Sequence, residues 1–163
     1  MKNLRTYQMI AAFFIFLLLS GCAGIYENGK DLATDTKPYI EEITVDELNA
    51  KIENSEEFFL IDVRQPAEFE KGNLPYSTLI PRGILEFKIG NSTFWEDDQQ
   101  WFVPEKDAEI VIYCKKGDRG ILATKALTEL GYTNVKNLAG GIIAWDPEFD
   151  SGSEVSEEGG CGG

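Results

Sequence analysis

The feature that most constrains the fold is a short apolar run that ends in a cysteine. A cationic, glycine-containing loop and a helical pattern follow it in the chain. Residues 110–113, Ile-Val-Ile-Tyr, have the length and β-branched character of a strand that is buried on both faces. Cys114 follows at once, and a polar loop comes next. Residues 120–130 place apolar side chains at helical spacing and are stopped by Gly131. The stretch predicts a strand–loop–helix unit with a cysteine at the carboxyl end of the strand.

The loop after Cys114 predicts an electropositive environment for the sulfur. It comprises Lys115, Lys116, Gly117, Asp118, Arg119 and Gly120. Unpaired amides of a tight loop and of a helix amino terminus attract negative charge, and three of these residues are cations. Such surroundings favour a thiolate over a thiol, so we expect Cys114 to be nucleophilic near neutral pH. The alternative is an inert thiol that merely ends a strand, and the concentration of cations and glycines argues against it.

Composition excludes several other chemistries. The chain has 163 residues, which supports one domain, with a formal net charge of −13 and no histidine. Without histidine there is no Cys–His pair, no Ser–His–Asp triad and no His-ligated metal site, and we expect neither a metal nor a cofactor. The acidity argues against a nucleic-acid partner. The three cysteines, Cys22, Cys114 and Cys161, lack a Cys-x-x-Cys spacing, so neither a zinc knuckle nor a disulfide framework is indicated.

The amino-terminal residues have the organisation of a secretory signal. Two basic residues precede an uninterrupted apolar run, residues 9–19, which is shorter than the roughly 20 residues of a membrane-spanning helix. The run ends in Leu19-Ser20-Gly21-Cys22, which resembles the lipobox of bacterial lipoproteins. The resemblance implies that residues 1–21 are a lipoprotein signal peptide and that lipidated Cys22 anchors the protein outside the cytoplasm, in the periplasm or at the cell surface. An ordinary secretory signal or an uncleaved anchor is the alternative.

The remaining chain divides into a tether, one domain and a tail. Residues 22–40 are polar and lack periodicity, which predicts a flexible tether. Over residues 41–149 strand and helix patterns alternate, with a capping box at Thr44 and Glu47. The second to fifth strands are predicted at 58–61, 78–81, 110–113 and 135–138, and a first strand without assigned limits precedes them. The alternation predicts an α/β fold with a central, mainly parallel five-stranded sheet and helices on both faces. Residues 150–163 are acidic and Gly-rich, and we expect them to be disordered.

Six short motifs occur in a fixed order across the predicted domain. They are Asp62-Val63-Arg64, Glu68-Phe69, Gly72-Asn73-Leu74-Pro75, Ile80-Pro81-Arg82-Gly83, the segment from Cys114 to Arg119, and Leu138-Ala139-Gly140-Gly141 with Ala144-Trp145. Together they resemble the single-domain rhodanese (thiosulfate sulfurtransferase-like) family. Two positions depart from its pattern, because Asn73 stands where family members usually carry histidine and Gly120 where they often carry serine. Neither change removes the nucleophile or the anion-binding loop.

The resemblance implies a rhodanese-like fold and a sulfurtransferase that works through a cysteine persulfide. Cys114 would take a sulfane sulfur from thiosulfate or a similar donor, and cyanide or a thiol, including a protein thiol, would remove it. Loop residues 115–120 would bind the donor, although Arg119 could instead hold the loop shut by pairing with a carboxylate. Supporting residues are Asp62, Arg64, Glu68 and Arg82, and we expect mainly ion pairs at the first three. We expect a monomer.

Two other functions stay open at this point. Cysteine phosphatases of related fold have five residues between cysteine and arginine, whereas four separate Cys114 from Arg119. The tighter loop suits one sulfur atom better than a phosphoryl group. A catalytically silent, membrane-tethered module that binds an anion or a protein would not need the thiol at all.

Three roles stay open for Cys161, near the carboxyl terminus. It is an incidental thiol, a relay that accepts sulfur from Cys114, or a disulfide partner of another protein.

Overall fold

Five short strands form one parallel sheet at the centre of the fold. The computed structural model describes residues 24–99 and 101–149. The strands are β1 Glu41–Ile43, β2 Phe59–Asp62, β3 Thr78–Leu79, β4 Ile110–Tyr113 and β5 Val135–Leu138. Their order in the sheet is β1-β5-β4-β2-β3, and each of the four pairings is parallel. The prediction of an α/β fold around a five-stranded parallel sheet is confirmed.

Six α-helices, two 3-10 turns and one π-helical segment accompany the strands in the described part of the chain. The helices are α1 Gly29–Thr36, α2 Val45–Glu53, α3 Pro66–Phe69, α4 Leu85–Lys88, α5 Asp118–Glu129 and α6 Gly141–Trp145. The turns are 3-10 at Lys37–Tyr39 and Arg82–Ile84 and π-helical at Thr93–Asp98. The predicted capping box begins α2, since Glu47 N donates to Thr44 Oγ1 at 3.2 Å and Thr44 N donates to Glu47 Oε2 at 2.8 Å.

Alternate residues of β2 and β4 contribute to two separate cores, one on each face of the sheet. One core includes Ile61, Ile112 and, from α5, Ala123 and Leu127. The other includes Leu60, Val111, Leu48 of α2 and Ile142 of α6. Burial of each of these Ile or Leu side chains stabilises the folded state by about 1.5–3 kcal/mol relative to exposure to water. Helices therefore cover both faces, as predicted, and burial on both sides fixes the register that aligns the carboxyl ends of the strands.

The predicted tether over residues 22–40 is wrong for residues 29–39, which are helical. Asn28 caps α1, because its Oδ1 accepts hydrogen bonds from Lys30 N at 2.9 Å and Asp31 N at 3.0 Å. Ala33 is fully buried, and α1 packs against α5. The sequence did not predict this helix, because only one of its buried side chains is apolar and one such position does not produce a helical periodicity.

Several predictions concern residues outside the described parts of the chain. They are the signal peptide over residues 1–21, lipidation at Cys22, and the tail over residues 150–163 with Cys161. Within residues 24–99 and 101–149, none of the helices combines the length and the hydropathy that crossing a bilayer requires.

Candidate active site

The carboxyl ends of β2 and β4 meet at Cys114, the predicted position for a ligand site in a parallel sheet. Cys114 directly follows β4 and is only 2% exposed. Val63, the first residue after β2, donates its amide hydrogen to the carbonyl oxygen of Tyr113 at 3.0 Å. The sulfur therefore lies at the edge of the sheet where the loops after the central strands come together.

The loop after Cys114 curls around the sulfur atom. Gly117 N donates to Cys114 Sγ at 3.1 Å. Gly117 has φ +106°, in the region that favours glycine. The first bond of α5 runs from Ile121 N to Gly117 O at 2.9 Å, so the amides of the leading turn have no acceptor within the helix. Backbone N–H groups and the positive end of α5 thus favour negative charge at this point.

The start of α6 supports the loop from the other side. Ile142 N donates to Cys114 O at 2.9 Å, and Ile143 N donates to Lys115 O at 3.2 Å. Gly141, with φ +64°, lies so close to these carbonyls that a Cβ atom there would stand 2.7 Å from Lys115 O. Of the glycine pair in this motif, Gly141 is needed because the loop backbone packs directly on it, whereas a Cβ atom on Gly140 would stand 2.8 Å from the Cβ atom of Ala144.

Arg119 joins the loop to α3 through a bidentate ion pair with Glu68. Its Nη1 donates to Glu68 Oε2 at 2.7 Å and its Nη2 donates to Glu68 Oε1 at 2.8 Å. These hydrogen bonds from Arg119 lower the pKa of Glu68 to about 2. Glu68 raises the pKa of Arg119 in turn, and the nearby Cys114 sulfur adds to that effect. Of the two roles that the sequence left open for Arg119, pairing with a carboxylate is the one observed.

Substituting Glu68 by glutamine is expected to weaken the dependence of stability on acid pH. The pKa of Glu68 in the folded protein lies below the ordinary value of 4.5, so its carboxylate stabilises the fold above pH 4.5 and this contribution is lost as the pH falls towards 2. We expect Glu68→Gln to remove about 1–2 kcal/mol of this pH-dependent stability. That is less than the lowered pKa alone would give, because solvent screens the half-exposed Arg119 side chain. Urea unfolding between pH 7 and pH 3 measures it, with Glu53→Gln on the exposed end of α2 as control. Parallel profiles for the wild type and Glu68→Gln would contradict the expectation.

Asp62 and Arg64 form a fully buried ion pair at the carboxyl end of β2. Both side chains are 0% exposed. Arg64 Nε donates to both carboxylate oxygens at 3.0 and 2.9 Å, and Nη2 donates to Asp62 Oδ2 at 2.7 Å. Arg64 Nη2 also donates to Gly72 O at 2.7 Å, and the guanidinium lies 5.6 Å from the Tyr113 ring centre and 5.2 Å from that of Phe149. The expected ion pairs of Asp62, Arg64 and Glu68 are thus all present.

Four further predicted site residues lie near the surface. Arg82 is half-buried and its Nη1 pairs with Glu86 Oε1 at 2.7 Å. Lys115 is half-buried, whereas Lys116 and Asp118 are exposed. Neither lysine is in an ion pair with any residue that the structure describes. The charge of Arg119 is partly satisfied by Glu68, so the two lysines are the loop cations best able to attract an anion.

The sequence did not point to Asn137, which lies on β5 beside the loop. Asn137 is 0% exposed, and its Nδ2 donates to Glu42 Oε1 at 3.1 Å. Its Oδ1 has no hydrogen-bond partner among the described residues, and a Cβ atom on Gly120 would overlap it. The one available signal was a polar amide within a predicted strand, β5, of a sheet that is covered on both faces.

A cavity of about 790 Å³ lies at the opposite edge of the sheet, near the amino ends of β2 and β3. Its wall includes Phe59, Thr78 and Trp95, together with the exposed rings of Trp101 and Phe102. None of the predicted site residues lines it. The space therefore does not belong to the thiol site.

Comparisons with known proteins cover the whole region around Cys114. The profile of the rhodanese-like domain matches residues 44–148. A protein named sulfurtransferase from Allochromatium vinosum is 33% identical over 106 residues, which are 65% of this chain and 88% of that protein. Human single-domain sulfurtransferase TSTD1 has a TM-score of 0.61 at 27% identity, covering 67% of this chain and 97% of its own. A Rhodopseudomonas palustris protein of unknown function, described as a possible tyrosine phosphatase, has a TM-score of 0.59 at 28% identity, covering 77% and 94%.

Proposed function

The chain belongs to the rhodanese-like domain family, and we propose that it is a sulfurtransferase that carries a sulfane sulfur on Cys114. The observation that carries the proposal is the backbone N–H of Gly117, 3.1 Å from a buried thiol sulfur at the start of α5. The donor that we propose is thiosulfate or another small sulfane donor. A relative named sulfurtransferase that shares 33% of the aligned residues supports the reaction class.

In the first half-reaction the Cys114 thiolate attacks the outer sulfur of thiosulfate. A bond forms between Sγ and that sulfur, the bond between the two thiosulfate sulfurs breaks, and its electron pair leaves with sulfite. The cysteine becomes a persulfide anion, so the total charge is unchanged. Lys115 and Lys116 attract the dianion, and the leading amides of α5 stabilise the negative charge on the carried sulfur without rearrangement.

In the second half-reaction an acceptor removes the outer sulfur. Cyanide attacks it, thiocyanate forms, and the electron pair of the sulfur–sulfur bond returns to the Cys114 thiolate. A thiolate acceptor does the same and leaves as a persulfide. Because the enzyme is modified between two substrates, we expect ping-pong kinetics.

Phosphoryl transfer from an aryl phosphate is the second candidate, favoured by the neighbour described as a possible tyrosine phosphatase. Arg119 argues against it. Bidentate recognition of a phosphoryl group uses the two outer nitrogens of an arginine, and both Nη atoms of Arg119 already donate to Glu68. Only four residues separate Cys114 from Arg119, which leaves a narrow loop. A silent binding module is the third candidate, and it requires no reaction at Cys114.

One preparation assayed for two reactions separates these candidates. We expect thiocyanate formation from thiosulfate and cyanide, and no hydrolysis of para-nitrophenyl phosphate above the rate without protein. Hydrolysis without sulfur transfer would replace the proposal with a phosphatase. Failure of both reactions would leave the binding module.

Lipidation of Cys22 and a position outside the cytoplasm are part of the same proposal, and the Leu19-Ser20-Gly21-Cys22 sequence supports them. Two or more acyl chains hold a protein on a membrane durably. In cells, we expect the wild-type chain to fractionate with membranes and to incorporate labelled palmitate. Cys22→Ser should lose the label, and retention of the label in that variant would contradict lipidation at this residue.

A further inference from the structure

We propose that Asn137 is a positioning residue of the active-site loop, because its amide fills the space that a side chain at Gly120 would occupy. The proposal rests on the proposed function only for its catalytic readout. Asn137 lies in β5, and Gly120 lies in the first turn of α5, directly after Arg119. The pair therefore connects the central sheet to the turn that presents its amides to Cys114.

The contacts of Asn137 reach both glycines of the loop. A Cβ atom built on Gly120 would overlap Asn137 Oδ1 and would stand 3.9 Å from Cys114 N. A Cβ atom built on Gly117 would stand 3.7 Å from Asn137 Nδ2 and 3.5 Å from Gly140 N. The amide thus packs against the backbone at both ends of the segment that curls around the sulfur, and its size sets how closely that segment approaches β5.

The orientation of the amide is fixed from the side away from the loop. Nδ2 donates to Glu42 Oε1 at 3.1 Å, and Glu42 Oε2 pairs with Lys37 Nζ at 3.0 Å. A carboxylate only accepts hydrogen bonds, so the nitrogen of the amide must face Glu42. Oδ1 therefore faces Gly120, where it has no hydrogen-bond partner among the described residues. An unpaired buried amide oxygen is unfavourable for folding, which is consistent with a role in the site rather than in stability.

Gly120 and Asn137 should consequently behave as a complementary pair. Serine at Gly120 would collide with Oδ1, and the collision would push the first turn of α5 away from the sulfur. Shortening Asn137 to alanine would remove the obstacle and make room for that serine. The expected signature is a non-additive double-mutant cycle, in which the effect of the two substitutions together differs from the product of their separate effects.

The test uses the full chain with Gly120→Ser, Asn137→Ala and the two changes combined. The first readout is the rate of iodoacetamide alkylation of Cys114 across pH, followed by peptide mass spectrometry. The second is the split of thiosulfate:cyanide transfer into kcat and KM. We expect Gly120→Ser to lower alkylation and kcat by about 10- to 100-fold, the size of loss that misplaced reactive groups produce. We expect the double variant to react faster than Gly120→Ser alone.

Matched controls separate positioning from stability. Asn134→Ala lies just before the amino end of β5, and Gly29→Ser has no atom within 4 Å of the added Cβ. Both should react like the wild type. If thermal unfolding shows that Asn137→Ala is unfolded at the assay temperature, Asn137→Ser takes its place, both alone and combined with Gly120→Ser.

Two results would overturn the positioning role. One is a double variant whose alkylation rate is the product of the two single effects, and the other is a Gly120→Ser variant with the alkylation profile of the wild type. The alkylation measurement needs no sulfur donor, so it tests the Asn137 proposal even if the wild-type protein transfers no sulfur. Absence of transfer with coupled alkylation would refute only the proposed reaction.

Discussion

Replacement of Cys114 by serine is expected to reduce thiosulfate:cyanide sulfur transfer to the rate without protein, a loss of at least about 10³-fold. A serine hydroxyl is a far weaker nucleophile than a thiolate at neutral pH, and an oxygen in place of Sγ does not form the persulfide. The serine oxygen can still accept the Gly117 N–H that reaches Sγ at 3.1 Å in the wild type. The fold should therefore survive while the reaction is lost.

Steady-state thiocyanate formation measures the loss, and thermal unfolding checks the fold. Cys161→Ser is the matched cysteine control, since a relay thiol would act only after Cys114 has taken up the sulfur. This variant should accept sulfur from thiosulfate like the wild type. A folded Cys114→Ser variant that still forms thiocyanate at more than about 1% of the wild-type rate would remove Cys114 from the reaction.

Replacement of Asp62 by alanine is expected to lower the free energy of unfolding by about 3–5 kcal/mol. Arg64 is 0% exposed and its Nε and Nη2 depend on the Asp62 carboxylate. Without that carboxylate a positive charge is left buried, with Gly72 O and two aromatic rings as its remaining partners. A loss of this size is a large part of the 5–15 kcal/mol that stabilises a typical domain.

A second variant separates the unpaired charge from the lost packing. In Asp62→Leu with Arg64→Met both charges are replaced by apolar side chains, and such exchanges are often neutral or stabilising. We expect the double variant to be more stable than Asp62→Ala in urea unfolding at pH 7. A free energy of unfolding of Asp62→Ala within about 1 kcal/mol of the wild-type value would contradict this expectation.

The strand–loop–helix unit around Cys114 could be predicted because its signals are local. Four apolar residues form β4, a glycine with φ +106° permits the turn, and the helix ends before Gly131. The capping box at Thr44 is local in the same sense, because its two partners are three residues apart. Such patterns depend on neighbouring residues alone, so they can be read before the fold is known.

β1, whose limits were not predicted, and α1, which was not predicted, depend on distant partners. β1 has the sequence Glu-Glu-Ile and becomes a strand because Glu41 to Ile43 pair with residues 136–138 of β5. The helix α1 is stabilised where it packs against α5, about 90 residues further along the chain. No local periodicity marks either element.

Within the site, the sequence pointed to the proposed nucleophile, Cys114, more directly than to the residues that support its loop. The ion pair of Glu68 with Arg119 joins residues 51 positions apart, and the bond of Asn137 to Glu42 joins residues 95 positions apart. The first contact exists because the parallel sheet brings the carboxyl ends of β2 and β4 to one edge. The second exists because Glu42 and Asn137 are direct partners in the paired strands β1 and β5. A resemblance in motif order indicated Glu68, whereas Asn137 belonged to none of the motifs.

Intact mass spectrometry of the protein after thiosulfate treatment tests the persulfide at Cys114 most directly. We expect the wild-type chain to gain the mass of one sulfur atom, to lose it on addition of cyanide, and to carry it on the peptide that contains Cys114. Cys114→Ser should show no gain under the same conditions. An unchanged mass of the folded wild-type protein, or an equal gain in Cys114→Ser, would contradict the proposal that this thiol carries sulfur.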